Sequence, residues 1–269
     1  NHRSLRRELE QKGHRFQGHS DCEVLAHLYE EEGIDFLKRL NGMFALALLD
    51  TRQHRLLLAR DPVGMKHLYW GETAHGVAFA SEARSLFAAG LVKPRPDWDS
   101  LGAYFSTGYV PSPGTAFEGL HRLRPGSYVL LGEEGLQEGR YWIPRFQEPG
   151  PGRSEQDWSE ELKGLLDSAV GTHLDADFPA GLFLSGGWDS SLITFYASRR
   201  SSQPLNSFSL VFPDDPGPDE SRFSRQVSQQ AGTRSHEIEI RDTDILSALG
   251  QNSLAIEEPN VCSPNILFY

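Results

Sequence analysis

The stretch Phe183–Leu192, FLSGGWDSSL, constrains the fold of this chain more than any other. The apolar run GLFL ends in Ser185 and two glycines, and a helical pattern starts near Asp189. A strand, a glycine-rich turn and a helix start form the corner from which parallel α/β sheets are built. The glycines let backbone N–H groups approach an oxyanion, and the helix dipole favours negative charge there. Ser185 and Ser190 add hydroxyl donors. Asp189 sets an acid beside a site suited to phosphate, which makes chemical sense if Mg²⁺ bridges the two. No GxxxxGK[ST] is present, so this is not a Walker loop, and no GxGxxG dinucleotide fingerprint occurs. A lone SGG would read as a plain capped turn. SGGxDSS after an apolar strand, inside a β–α array, reads as a pyrophosphate site.

The array around the loop supports that reading. Ser154 opens a helix with apolar Trp158, Leu162, Leu165, Leu166, Ala169 and Val170. After the loop helix come the strand NSFSLVF, a helix from Glu220 to Ala231, the strand SHEIEI and a helix from Asp242 to about Ile256. Regular alternation predicts a doubly wound α/β parallel sheet with helices on both faces and ligands beyond the carboxyl ends of the strands.

The preceding half follows another grammar. Leu5 and Leu9 mark a short helix stopped near Gly13, Ser20 and Glu23 read as a capping box, and DFLKRLNG forms a third helix. MFALALLD, RLLLARD, HLYWGE and GVAFAS are strand-like and closely spaced, which predicts an antiparallel sheet. MFALAL lacks a polar face and is expected to be buried on both sides. SYVLL and GRYWI read as a further hairpin, and Ser81-Glu82 as a helix start. This half is therefore α+β. QEPGPGR, Gln147 to Arg153, carries two prolines and two glycines and reads as a linker. The expected organisation is 1–146, a linker at 147–153, and 154–269, matching a prior of about 150 residues per domain.

Composition narrows the function classes. A net charge of −11 argues against nucleic acid as a partner. The longest apolar run is too short to span a membrane. Cys22 and Cys262 form no CxxC pair, and two free thiols suit a reducing, cytoplasmic setting. Ten histidines without HxH or HExxH spacing argue no metal cluster.

SGGxDS resembles the PP-loop of the ATP pyrophosphatases, which adenylate a carbonyl or carboxyl oxygen. SDCEVLAHLYEEEGIDFLKRLNGMFALALLD, RLLLARDPVGMKHLYW and AFASEARSL look like the class II glutamine amidotransferase domain, an Ntn-type sheet sandwich, of glutamine-hydrolysing asparagine synthetases. GYVPSPGTAFEGLHRLRPGSY is similar to the segment leaving that domain. DADFPAGLFLSGGWDSS and DESRFSRQVSQQAGTRSHE match the start of the synthetase domain. The resemblance covers nearly all of the chain in the family's order.

The resemblance implies an ATP- and Mg²⁺-dependent synthesis of asparagine from aspartate and glutamine through β-aspartyl-AMP, releasing AMP and pyrophosphate. It implies small-molecule substrates, no nucleic acid and no membrane, with a homodimer as the candidate assembly. Asp21 would bind the α-amino group of glutamine. Ser185, Gly186, Gly187, Asp189 and Ser190 would hold pyrophosphate, with Asp189 on Mg²⁺, and Phe183 and Leu210 would hold adenine. Asn1 matches an asparagine just past the glutamine-binding residues. The cysteine nucleophile, a second acidic loop and a catalytic lysine are expected outside residues 1–269, so the chain alone is expected to be inert in both half-reactions. Cys22 is expected to pack on its helix. Arg60, Asp61, Gly64, Met65 and Lys66 match the family's ARDxxGxK turn, with His67 where proline is usual, and read as architecture. Glu257-Glu258-Pro259 reads equally as a helix-ending turn or a substrate contact. Trp188 stands where a branched aliphatic is usual, and packing under the helix start is favoured over narrowing a pocket. An acceptor other than aspartate, or a non-catalytic relic, remain the rival readings.

Overall fold

The computed structural model describes residues 1–146, 152–176, 178–214 and 221–259. Contacts divide the chain into two compact units: residues 1–146 with 251–263, and residues 147–250 with 264–269. Most of the linker reading falls outside the described residues.

The first unit opens with helices α1 (His2–Gln11) and α2 (Asp21–Glu32) and a 3-10 turn, Gly33–Arg39. The third expected helix is thus 3-10. Strands β1 (Ala45–Asp50), β2 (Arg55–Arg60), β3 (Tyr69–Thr73) and β4 (Gly76–Ala80) follow. After helices α3 (Ala83–Ala88) and α4 (Trp98–Thr107) come β5 (His121–Arg122), β6 (Ser127–Gly132) and β7 (Gly135–Arg140). Two antiparallel sheets result, ordered β1-β2-β6-β7 and β4-β3-β5.

Side-chain alternation assigns the layers. Leu57 and Ala59 of β2 join Leu5, Leu9, Val24, Leu28, Phe36 and Leu37 in a core between the helices and the first sheet. Leu58 points the other way and packs with Trp70, Leu68, Leu123 and Val129 of a second core between the sheets. Fully burying one such leucine or phenylalanine contributes about 1.5–3 kcal/mol. The strand buried on both faces is therefore β2. β1, the run without a polar face, lies at the sheet edge: Leu46 is buried, whereas Leu49 is 66% exposed. The second strand of the last hairpin is GLQEGR, because the turn falls at Gly132–Gly135 and leaves Tyr141-Trp142 beyond the pairing.

The second unit runs α5 (Glu155–Leu174), β8 (Gly181–Phe183), α6 (Trp188–Arg200), β9 (Asn206–Val211), α7 (Ser221–Ala231), β10 (Arg234–Glu239) and α8 (Asp242–Ile256), the last helix ending in the first unit. The three strands are parallel, ordered β10-β9-β8. Each step moves the same way along the sheet, so right-handed crossovers place α6 and α7 on one face, and the two helices pack together. Val170, Leu182 and Ala197 form the core, and Arg200 holds Asp167 of α5 through two bonds of 2.8 and 2.6 Å. Trp158, Leu162 and Leu165 of the apolar pattern are exposed.

Candidate functional site

The loop is built from its flanks inward. The end of β8 is pinned to β9: Leu184 N–H donates to Phe208 O at 2.8 Å, and Ser209 Oγ donates to Leu184 O at 2.7 Å. The chain then turns through Gly186, whose φ of +85° suits glycine. A Cβ there would stand 2.6 Å from Ser224 N and 2.8 Å from Phe223 Cβ, so α7 backs the turn without room for a side chain.

Gly187 is different. Its φ is −71°, and a Cβ would meet only Ser185 Oγ at 3.5 Å. It is the N-cap of α6, and no side chain caps that helix. A serine or aspartate cap would occupy an amide of the first turn. Ser191 N–H makes the first intrahelical bond, to Gly187 O, so helix geometry leaves the amides before it without intrahelical acceptors. Gly187 N–H itself donates to Ser185 Oγ at 3.4 Å.

Ser185 and Ser190 Oγ lie 3.0 Å apart across the turn. Asp189 is exposed in the first turn of α6. Phe183 ends β8 and is 70% exposed, and Leu210 stands near the end of β9; both lie toward the carboxyl edge of the parallel strands. The structure thus brings these seven sequence-predicted residues onto one corner. It also shows what sequence reasoning missed: Ser191 Oγ, beside the loop, is buried without a partner among the described residues. Trp188 does not pack under the helix start. It is 87% exposed, because the first helical position points its side chain outward here.

In the first unit, Asp21 is exposed at the first position of α2, its Oδ1 3.4 Å from Ser20 Oγ. The expected capping box is not formed. Ser20 Oγ accepts from Cys22 N–H, while Glu23 reaches past Ser20 to accept from Gln17 N–H at 2.6 Å and Gly18 N–H at 2.9 Å. Those two bonds hold the Glu23 carboxyl below its ordinary pKa. Cys22 is exposed rather than packed. Asn1 braces the segment after the 3-10 turn, donating to Arg39 O and accepting from Asn41 N–H, each at 2.9 Å.

The ARDxxGxK turn is architecture. Asp61 is fully buried and accepts from Val63, Met65 and Lys66 N–H at 3.2, 2.9 and 2.9 Å. Arg60 donates to Lys66 O, Gly64 O and Leu123 O. Tyr141 donates to Arg60 O at 2.6 Å, and burial pushes its phenol well above the ordinary range. Glu257 and Glu258 both make contacts within the first unit. Glu257 accepts from Ala83 N–H at 2.6 Å and Arg84 N–H at 2.9 Å, capping α3, and Glu258 pairs with Arg122.

The fold and loop define a chain with an antiparallel two-sheet unit and a parallel α/β unit bearing a glycine-rich strand-to-helix corner. A family model described as glutamine amidotransferase domain matches residues 1–142, and one described as asparagine synthase matches residues 161–269. The chain belongs to the family of glutamine-hydrolysing asparagine synthetases. It is 31% identical to asparagine synthetase [glutamine-hydrolyzing] 3 of Bacillus subtilis strain 168, over 97% of this chain and 44% of that protein. Identity to asparagine synthetase [glutamine-hydrolyzing] 1 of the same organism is 35%, over 79% of this chain and 33% of that protein. Amidase chyE of Penicillium rubens is 31% identical, over 86% of this chain and 36% of that protein. The chain therefore spans less than half the length of these curated relatives.

Proposed function

We propose that this chain is the part of an enzyme that binds glutamine and ATP for the synthesis of asparagine from aspartate. The observation that carries the ATP half is the glycine-capped start of α6, with its uncovered amides and clear space at Gly187. There the α6 amides and the hydroxyls of Ser185 and Ser190 hold pyrophosphate, and Phe183 and Leu210 flank adenine at the strand ends. Mg²⁺ takes few protein carboxylates and shares phosphate oxygens, and Asp189, exposed beside the cradle, suits that need. When bound, the ion neutralises phosphate charge; Asp189 would hold it. The aspartate β-carboxylate attacks the α-phosphorus and pyrophosphate leaves. Ammonia then displaces AMP from the acyl carbon, giving the amide.

In the amidotransferase half, Asp21 binds the α-ammonium group of glutamine. Its support is the exposed carboxylate at the start of α2 and the family match over residues 1–142. Isothermal titration of Mg-ATP into the chain tests the nucleotide site, with saturable binding that Asp189→Ala and Ser185→Ala each weaken. Absence of binding, or unchanged affinity in both variants, overturns the assignment. A second reading keeps the chemistry and changes the acceptor carboxylate. It is favoured by the similarity to an amidase at the same level of identity as to the synthetases. AMP formation by the native protein carrying these residues, against a panel of carboxylates, separates the two.

A further inference from the structure

The ten histidines show no metal-ligand spacing along the sequence, yet folding joins two of them. His14, after α1, and His27, on α2, face each other with Nδ1 atoms 3.1 Å apart. Two nitrogens bound to one tetrahedral Zn²⁺ at about 2.05 Å sit about 3.3 Å apart. Glu30, one turn along α2, places Oε2 3.8 Å from His27 Nδ1. One ligand atom from each of the three residues lies within 4.8 Å of the others.

We propose that His14, His27 and Glu30 form a site for a divalent transition-metal ion of the Zn²⁺ class, bound through the two Nδ1 atoms and the Glu30 carboxylate.

The outer nitrogens give independent support. His14 Nε2 lies 3.1 Å from Glu31 Oε1, and His27 Nε2 lies 3.9 Å from Glu23 Oε1. Glu31, within hydrogen-bond reach, favours the proton on His14 Nε2 and turns that ring's Nδ1 lone pair toward the ion, while Glu23 stands near His27 Nε2 without a direct hydrogen bond. Glu23 is a fixed acceptor, tied by Gln17 and Gly18 N–H. In the metal-free chain the two Nδ1 atoms, 3.1 Å apart, share one N–H···N hydrogen bond, and a bound ion would take the place of its proton. The rival to the ion is that N–H···N hydrogen bond itself. Lys12 Nζ, 3.7 Å from Glu31 Oε2, is the nearby fixed positive charge. His27 is oriented by an edge contact with Phe16, which in turn carries Arg6 over its face. Both imidazoles are mostly buried, while the Glu30 side chain is 62% exposed and leaves an aqueous path for a fourth, water ligand. Imidazole with carboxylate suits zinc, cobalt or nickel rather than Mg²⁺. The ion would clasp the segment after α1 to α2.

The test uses Zn²⁺ and Co²⁺ with the full chain, in a Cys22→Ser, Cys262→Ser background that removes both thiols. The expected result is one Zn²⁺ per chain at equimolar, micromolar concentrations, a tetrahedral Co²⁺ visible band, and a Zn²⁺-dependent rise in Tm. His14→Gln and His27→Gln remove the band, and Glu31→Gln weakens Zn²⁺ about 10-fold. Glu30→Gln, an exposed change that leaves the fold intact, weakens binding if the histidine variants fail to fold. Zn²⁺ affinity unchanged in Glu30→Gln and in whichever histidine variants fold, or a ring pair that only takes up a proton and never saturates with Zn²⁺, overturns the proposal.

Discussion

Replacing Gly186 or Gly187 by alanine separates what the loop needs in order to fold from what it needs in order to bind. At Gly186 an alanine meets two costs. A φ of +85° strains an L residue by about 1–2 kcal/mol. Its Cβ would stand 2.6 Å from Ser224 N and 2.8 Å from Phe223 Cβ, and relieving such overpacking costs about 1–3 kcal/mol more. The sum is about 3.5 kcal/mol at its middle, or roughly 300-fold in a local opening constant. At Gly187 the backbone is ordinary and the space is open, so alanine costs at most about 1 kcal/mol, as for a poorer N-cap. Its methyl group occupies the anion space, and Mg-ATP affinity falls about 10-fold or more, equivalent to 1.4 kcal/mol. Hydrogen exchange in β8, β9 and α6 reads the second unit without reference to the first, and isothermal titration reads the nucleotide. The reasoning requires Gly186→Ala to collapse protection and Gly187→Ala to keep it while losing ATP. Native protection in Gly186→Ala, or native ATP affinity in Gly187→Ala, refutes it.

Further outcomes follow from the first unit. Asp61→Ala strips three N–H groups of a fully buried acceptor and is expected to cost about 3 kcal/mol or more by chemical denaturation. Glu257→Gln weakens the cap of α3, seen as faster amide exchange at Ala83 and Arg84 with little change in β6. Glu23 has its pKa lowered in the folded state, so the unfolded chain binds its proton first as pH falls. Its contribution is present above the ordinary glutamate value and is lost as pH falls through the lower folded value. Thermal unfolding in metal-free buffer should show a shallower acid limb for Glu23→Gln than for the native chain.

The sequence carried the order of elements well, because periodicity and turn residues report what each segment does with its own backbone. The strand–SGG–helix corner was legible for that reason: GLFL, two glycines and the α6 pattern occur within one short run. What failed was knowledge of neighbours. MFALAL reads as doubly buried, yet only β2 has a partner layer on each side, and edge position is not written in a single strand. Ser20 and Glu23 have capping-box spacing, but Glu23 finds the amides of Gln17 and Gly18, which the α1–α2 turn brings closer. Trp188 and Cys22 are exposed at helix starts that no element among the described residues covers. His14 and His27, like Glu257 and the start of α3, meet only through tertiary folding, so no spacing rule could pair them.

Oxygen tracing from the acceptor to the nucleotide tests the central claim most directly. The native protein carrying these residues is supplied with glutamine, Mg-ATP and aspartate labelled with ¹⁸O in the β-carboxylate, and the products are read by mass spectrometry. Adenylation through the loop puts one labelled oxygen into AMP for each asparagine formed and none into pyrophosphate. Asparagine made with unlabelled AMP, or label appearing in orthophosphate beside ADP, would contradict the account.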